Sequence, residues 1–232
     1  KIQTYTPDTI TLDCDDPCFQ ITQGTIWDGT FTGRILAQID DGDALNGSFV
    51  LQDMNLTSIG KSYDKKMEKA TVHGAIEFSS KGGNMNSIQA KGEAALVHGD
   101  LVEIPLFGFL GEALSNYIPG LGHLINYKIS RADCDFSIEK GYVRTSNFAA
   151  QGSNMSLEGG GWIRLSDLQV NSDFKLGLRG LPGFITSPVF LLAGGLFQVR
   201  GTGPLSNVSW NFAPFSGGKA PVPPAAAPAR KR

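Results

Sequence analysis

The chain alternates apolar and polar residues with a period of two over many short runs. A β-strand points successive side chains to opposite faces, so each run predicts a strand with one apolar and one polar face. Polar neighbours such as Arg34, Glu77, Glu139 and Lys175 are expected to face water. The residues predicted to share one apolar surface are Phe31, Ile35, Ile76, Phe78, Phe136, Ile138, Phe174, Leu176 and Leu178.

Turn signals separate these runs, at positions rich in glycine, asparagine and aspartate. About a dozen strands joined by short turns predict mostly antiparallel neighbours, because parallel strands need long crossovers. Hairpin-like runs that each end in a glycine turn indicate an elongated sheet. The segments read as turns are Trp27-Asp28-Gly29, Asn46-Gly47, Lys81 to Asn84, His98-Gly99-Asp100 and Gly159-Gly160-Gly161.

Two segments depart from the alternation. Residues 105–126 carry apolar side chains at helical spacing, which predicts a short helical insertion, and residues 188–197 are very apolar. Both are expected to cap the open end of the apolar sheet surface, and lipid contact is the alternative. Residues 1–215 are predicted to form one β-domain, and the Pro/Ala-rich basic tail 216–232 is predicted to be disordered.

The composition narrows the classes of function. Glycine is abundant, with 29 residues in 232, and these glycines lie among the alternating runs, which is typical of many strands and turns. The net charge is −2 and no basic stripe runs along any segment, so nucleic-acid binding is disfavoured. The sequence has no stretch of 18 apolar residues and does not open on a signal peptide, so we expect any membrane anchor to lie in a segment outside this sequence.

The sequence indicates no catalytic or metal site, and we predict a protein that is not an enzyme and needs no cofactor. Cys14 and Cys18 lack a second ligand pair for zinc, and they either form a disulfide or stay reduced. Cys134 is predicted to be a small buried side chain. The acidic clusters lack the pattern of a calcium loop, and the three histidines are isolated from one another.

Glycine-containing strand motifs recur in a fixed order along the chain. They are Gly29 to Gly33, Leu45 to Phe49, Ile88 to Ala94, His98 to Leu101, Ile104 to Leu106, Phe136 to Gly141, Thr145 to Phe148, Leu157 to Ile163, Phe174 to Leu176 and Gly201 to Leu205. This ordered series resembles the AsmA-like family of Gram-negative envelope proteins, in particular the C-terminal region of the TamB and YhdP types. The resemblance covers residues 24–212, and its closing motif departs from the family pattern at Gly203-Pro204.

The resemblance implies a long sheet curled into an open trough, along which phospholipid moves between the inner and outer membranes. It also implies a periplasmic location and an inner-membrane anchor on a preceding segment. A structural role, as an assembly scaffold for outer-membrane proteins or an envelope complex, is the alternative, and a glycan-binding or hydrolytic β-protein is a third. Periodicity by itself favours an ordinary two-sheet sandwich, whose apolar faces cover each other.

Overall fold

The computed structural model describes residues 6–11, 18–38, 44–62, 69–82, 85–97, 129–153, 155–178 and 196–214. The helical insertion predicted for residues 105–126 and the tail 216–232 lie outside these described residues. The same holds for Cys14, and therefore for the question of its disulfide with Cys18.

The described residues form twelve strands, one α-helix and a single 3-10 turn at Met85–Ser87. The strands are β1 (Thr6–Thr11), β2 (Cys18–Ile26), β3 (Gly29–Gln38), β4 (Ala44–Asn55), β5 (Thr71–Ser80), β6 (Gln89–Val97), β7 (Ile129–Glu139), β8 (Tyr142–Gly152), β9 (Met155–Arg164), β10 (Gln169–Leu178), β11 (Leu196–Pro204) and β12 (Ser209–Pro214). The helix α1 spans Leu56–Ser62 and follows β4.

The twelve strands form one antiparallel sheet in which every strand pairs with its neighbours in sequence. This open, curled sheet confirms the prediction of an all-β fold with mostly antiparallel strands, and it excludes the sandwich. Two of the turns are tight reversals with positive φ, at Trp27-Asp28 and at Lys140-Gly141. Eleven spacings of about 4.8 Å give a sheet roughly 53 Å across.

Strand pairing keeps the apolar and polar residues on separate faces, because directly opposed residues point to the same side. We call these the apolar face and the polar face. One unbroken row of the apolar face consists of Ile35, Gly47, Phe78, Ala90, Ile138, Val143, Ile163, Val170 and Gly203. The adjacent row of the polar face consists of Arg34, Ser48, Glu77, Lys91, Ser137, Arg144, Trp162, Asn171, Thr202 and Ser209.

The core of the described residues lies on the apolar face of the C-terminal strands. Its cluster of buried side chains extends from β7 to β11, and Leu157, Leu176 and Phe197 within it are almost completely buried. On β3 to β6 the same face is mostly half-buried, as at Ile35, Ile76 and Phe78. The apolar face is therefore much better covered on the later strands than on the earlier ones.

Aromatic rings lie over glycines on the neighbouring strand, and this contact recurs along the apolar face. At Gly47 an added Cβ would meet the Phe78 ring at 2.6 Å, so only glycine leaves room for the ring. Phe78 in turn stacks on Phe49 with ring centroids 6.1 Å apart. The opposed pairs are Gly33 with Phe49, Gly47 with Phe78, Gly92 with Phe136, Gly159 with Phe174, and Gly201 with Trp210.

Two of the segments predicted to be turns lie inside strands, so these predictions were wrong. Asn46-Gly47 lies inside β4, and Gly159-Gly160-Gly161 lies inside β9. These glycines accommodate a neighbouring ring or backbone, as the close approach of Phe174 to Gly159 illustrates. The local sequence around a glycine is similar whether the glycine lies in a turn or in a strand beneath an aromatic ring. Only the residue opposite it on the neighbouring strand shows which of these roles it has.

Helix α1 was not expected from the sequence. Its N-terminus is capped by Asn55, whose side-chain oxygen accepts a hydrogen bond from the Thr57 amide at 2.9 Å. The helix is held against the β2–β3 turn, where the Trp27 indole donates to the Ser62 hydroxyl at 3.0 Å and the Ser58 hydroxyl donates to Asp28. Tertiary contacts therefore stabilise a seven-residue helix whose own propensity is weak.

Candidate apolar groove

The apolar face carries a groove of about 320 Å³ across its C-terminal strands. Its floor follows a row of small residues, since Gly161, Ser172 and Gly201 are directly opposed on β9, β10 and β11. A row without bulky side chains leaves a channel that runs perpendicular to the strands. The lining residues are Cys134, Phe136, Val143, Arg144, Thr145, Phe148, Gly161, Trp162, Ile163, Val170, Ser172, Phe174, Leu205 and Trp210.

The two walls of the groove are the rows on either side of the floor. One wall is aliphatic and consists of Val143, Ile163 and Val170, which are opposed across three strands. The other wall is aromatic, where Phe148 and Phe174 meet edge to face with centroids 5.4 Å apart. Beyond Phe174 lies the buried core, so the groove ends there on a packed surface.

Trp210 lies at one end of the groove. Its ring covers Gly201, where an added Cβ would come within 2.6 Å of the indole, and it stacks on Phe174 with centroids 6.4 Å apart. Ser172 beneath it is buried and donates a long hydrogen bond of 3.5 Å to the Gly201 carbonyl. The polar group of the floor is thus directed at the backbone and leaves the groove surface largely hydrocarbon.

A β-bulge in β8 shapes the aromatic wall. The extra residue lies between Thr145 and Phe148, and it shifts the register against both neighbouring strands. Asn147 holds the bulge through its side chain, which accepts from the Asp135 amide at 2.9 Å and donates to the Asp135 carboxylate at 2.6 Å. The bulge returns Phe148 to the apolar face, opposite Gly159.

Arg144 is the charged residue among those that line the groove. Its side chain lies on the polar face, since the guanidinium is 5.9 Å from the Tyr142 ring centroid and 3.7 Å from the Glu139 carboxylate. Its contribution to the groove is therefore backbone. The Nε of Arg144 and the indole nitrogen of the opposed Trp162 are buried without a hydrogen-bond partner among the described residues.

Cys134 lines the groove and has a free thiol of intermediate exposure. Burial raises the pKa of this thiol, and the carboxylates of Asp135 and Asp133 raise it further. The thiol therefore stays protonated and weakly reactive at neutral pH. The sequence predicted a small buried side chain here. The structure corrects this, because Cys134 is only partly buried and lies in the lining of the groove.

All nine residues predicted to share an apolar surface lie on the apolar face. Phe136 and Phe174 line the groove itself. Leu176 and Leu178 belong to the buried core, and the remaining five lie on earlier or adjacent parts of the face. Val143, Ile163, Trp210 and the small-residue floor were not among the predicted lining residues, because a groove arises only when these strands are aligned side by side.

The polar face carries a larger and more open concavity of about 770 Å³, across β5 to β9. Its charged residues are of both signs: one row carries Glu77, Lys91 and Arg144, and the adjacent row carries Glu93 and Asp135. Glu93 and Asp135 are directly opposed, a like-charge pair that costs stability. Charged side chains of both signs line this concavity, whereas the walls of the apolar groove are hydrocarbon, so the groove is the candidate site for an apolar ligand.

Two further features of the described residues bear on function. They contain no group of three or more His, Cys, Asp or Glu residues that could hold a metal ion. In this part of the chain, no helix has the length and apolar content needed to cross a membrane. Comparisons of the chain with protein-family models, curated proteins and solved structures found no significant match.

Proposed function

We propose that this chain carries phospholipid, with acyl chains held in the apolar groove while the headgroup stays in water. The observation that carries the proposal is a groove with hydrocarbon walls and a small-residue floor, on a sheet whose polar and apolar residues occupy opposite faces. Its volume lies at the lower end of the roughly 300–1,000 Å³ of ligand pockets. That suits part of an acyl chain and is too small for a whole lipid.

The energetics favour a lining of this kind. Moving an acyl chain out of a membrane exposes it at about 0.8 kcal/mol per CH₂ unless another apolar surface receives it. The walls formed by Val143, Ile163, Val170, Phe148 and Phe174 offer such a surface without a directional bond. A lipid can then slide past similar side chains with little change in free energy, and carriage requires neither a chemical step nor a cofactor.

Because the groove runs across the strands, it predicts the direction in which lipid moves. Lipid would travel along the sheet from strand to strand, and β7 to β12 alone offer roughly 24 Å of path at about 4.8 Å per strand. In the full proposal this segment forms one stretch of a periplasmic conduit between the inner and outer membranes, as the AsmA-like resemblance implies.

Photo-crosslinking in cells tests the proposal. A photoreactive amino acid at Val143 or Ile163 faces the groove, whereas one at Lys175 or Thr202 faces away on the polar face. We expect phospholipid adducts from the first pair and few from the second, measured by mass spectrometry of the purified adduct. Equal adduct yields from both faces, or none from either, contradict the proposal.

A structural or assembly role is the second candidate. The observation that favours it is the pair of edge strands, since β1 and β12 each have a strand partner on one side only among the described residues. Such edges can bind an extended segment of another protein by adding a strand. Absence of lipid adducts, together with protein crosslinks from β12, would favour this role.

A further inference from the structure

Two exposed leucines lie in neighbouring turns at the strand ends that flank the aliphatic wall of the groove. Leu168 is 48% exposed in the β9–β10 turn, and Leu205 is 36% exposed in the β11–β12 turn. The two turns are joined by a hydrogen bond of 2.9 Å from the Leu205 amide to the Leu168 carbonyl. Leu205 also lines the groove, so this pair, which we call the leucine ledge, is continuous with its apolar wall.

The backbone of Leu168 is strained. Its φ of 54° lies in the left-handed region, which glycine and asparagine adopt readily and a bulky side chain does not. The strained backbone of Leu168 carries an apolar side chain that is only about half buried, so burial offsets the unfavourable conformation only in part. Such a conflict is typical of residues that contact a partner.

The charges beside the ledge are paired with one another. Arg164 makes two hydrogen bonds to the Asp167 carboxylate, at 2.8 and 2.7 Å, and Lys140 lies 3.4 Å from Glu139. The surface around the ledge is therefore close to neutral. An apolar tip with balanced charges fits the surface of a zwitterionic phospholipid bilayer better than a strongly acidic or basic partner.

We propose that the leucine ledge docks this chain on a phospholipid bilayer and brings the aliphatic wall of the groove close to its surface. The purpose of this docking rests on the proposed function, because docking would let a lipid pass from the bilayer over Leu205 into the groove. Docking itself depends only on the two leucines. Insertion of apolar side chains, and not electrostatic attraction, drives the contact, so binding should change little with salt.

Flotation of the full chain with phosphatidylcholine vesicles, at low and high salt, tests this. We compare the wild type with the double variant Leu168→Asn and Leu205→Ser, and with Val50→Ser as the matched control. Val50 is 40% exposed and lies on the polar face, away from the ledge. Two partly exposed leucines imply that the double variant loses binding by about tenfold or more, at about 0.8 kcal/mol per CH₂ group, whereas Val50→Ser floats like the wild type.

Stability separates loss of docking from loss of folding. Asparagine tolerates the positive φ at position 168, whereas Leu205→Ser removes a leucine that is only partly exposed. The two effects on stability oppose each other, so the double variant should unfold in urea close to the wild-type midpoint. Loss of flotation with an unchanged unfolding midpoint supports the ledge. A wild-type chain that does not float overturns the proposal and leaves a protein as the partner of the leucines.

The two proposals fail in different ways. If the double variant floats as well as the wild type, the ledge proposal is wrong whatever the groove binds. If flotation depends on the ledge but a photoreactive residue at Ile163 gives no lipid adducts, docking stands and lipid carriage is wrong. If both results are positive, the groove binds lipid and the ledge is where the chain meets the membrane.

Discussion

Replacing Gly201 with alanine tests the contact between aromatic rings and glycines on which the apolar face depends. The added Cβ would lie 2.6 and 2.7 Å from two atoms of the Trp210 ring and 2.8 Å from the Ser172 hydroxyl. Carbon atoms in contact prefer about 3.5–4.0 Å, so the ring must retreat by roughly 1 Å. All three obstructing atoms belong to side chains, which makes this pair the cleanest one to test.

The expected magnitude follows from two opposing contributions. Overpacking of this kind costs about 1–3 kcal/mol, which includes part of the 0.5–1.5 kcal/mol expected for the stacking of Trp210 on Phe174. Alanine regains about 0.4–1 kcal/mol because it restricts the unfolded chain. We therefore expect Gly201→Ala to lower the free energy of unfolding by roughly 0.5–2 kcal/mol.

A double-mutant cycle isolates the contact. In a Trp210→Ala background the ring is gone, so Gly201→Ala should become neutral or stabilising, with a coupling energy of about 1–3 kcal/mol. Urea unfolding followed by circular dichroism of the four proteins gives this value. Gly74→Ala is the control, since its nearest atoms lie at 3.3 and 3.9 Å and no ring covers it. Effects of Gly201→Ala that agree within about 0.5 kcal/mol in both backgrounds would refute the reasoning.

Three further predictions concern single groups. Asp173→Ala should lower the free energy of unfolding by about 1.5–3 kcal/mol in urea denaturation, since its buried carboxylate accepts a hydrogen bond from Arg200; a change below 0.5 kcal/mol would contradict this. The raised pKa of Cys134 means that the folded chain binds its proton more tightly than the unfolded chain, so stability should fall as the pH rises above about 8.5. With the other two cysteines replaced by serine, alkylation should reach half its maximal rate at higher pH in the folded protein than in urea. Glu93→Gln should raise stability by a few tenths of a kcal/mol by removing its repulsion with Asp135, and loss of stability would indicate a favourable contact at Glu93.

The sequence by itself determined the strands and their faces, because alternation with a period of two is a local property of the chain. Phe136 and Ile138 point to the same side wherever β7 pairs, and Glu139 points to the other. Short turns such as Trp27-Asp28-Gly29 also made antiparallel neighbours the expected outcome. These features need no knowledge of distant contacts.

Only the tertiary structure decided what the glycines do and where the groove lies. Gly47 and Gly159 read as turns, yet they lie within strands beneath Phe78 and Phe174, and that contact depends on residues more than ten positions away. Helix α1 likewise exists through its contacts with the β2–β3 turn.

The groove is the clearest example. Its floor consists of Gly161, Ser172 and Gly201, which are unremarkable residues when each is considered within its own strand. Register places them opposite one another, and a one-residue shift would have turned each to the other face. Local patterns determine which side of the sheet is apolar, whereas the alignment of neighbouring strands determines where that side is hollow.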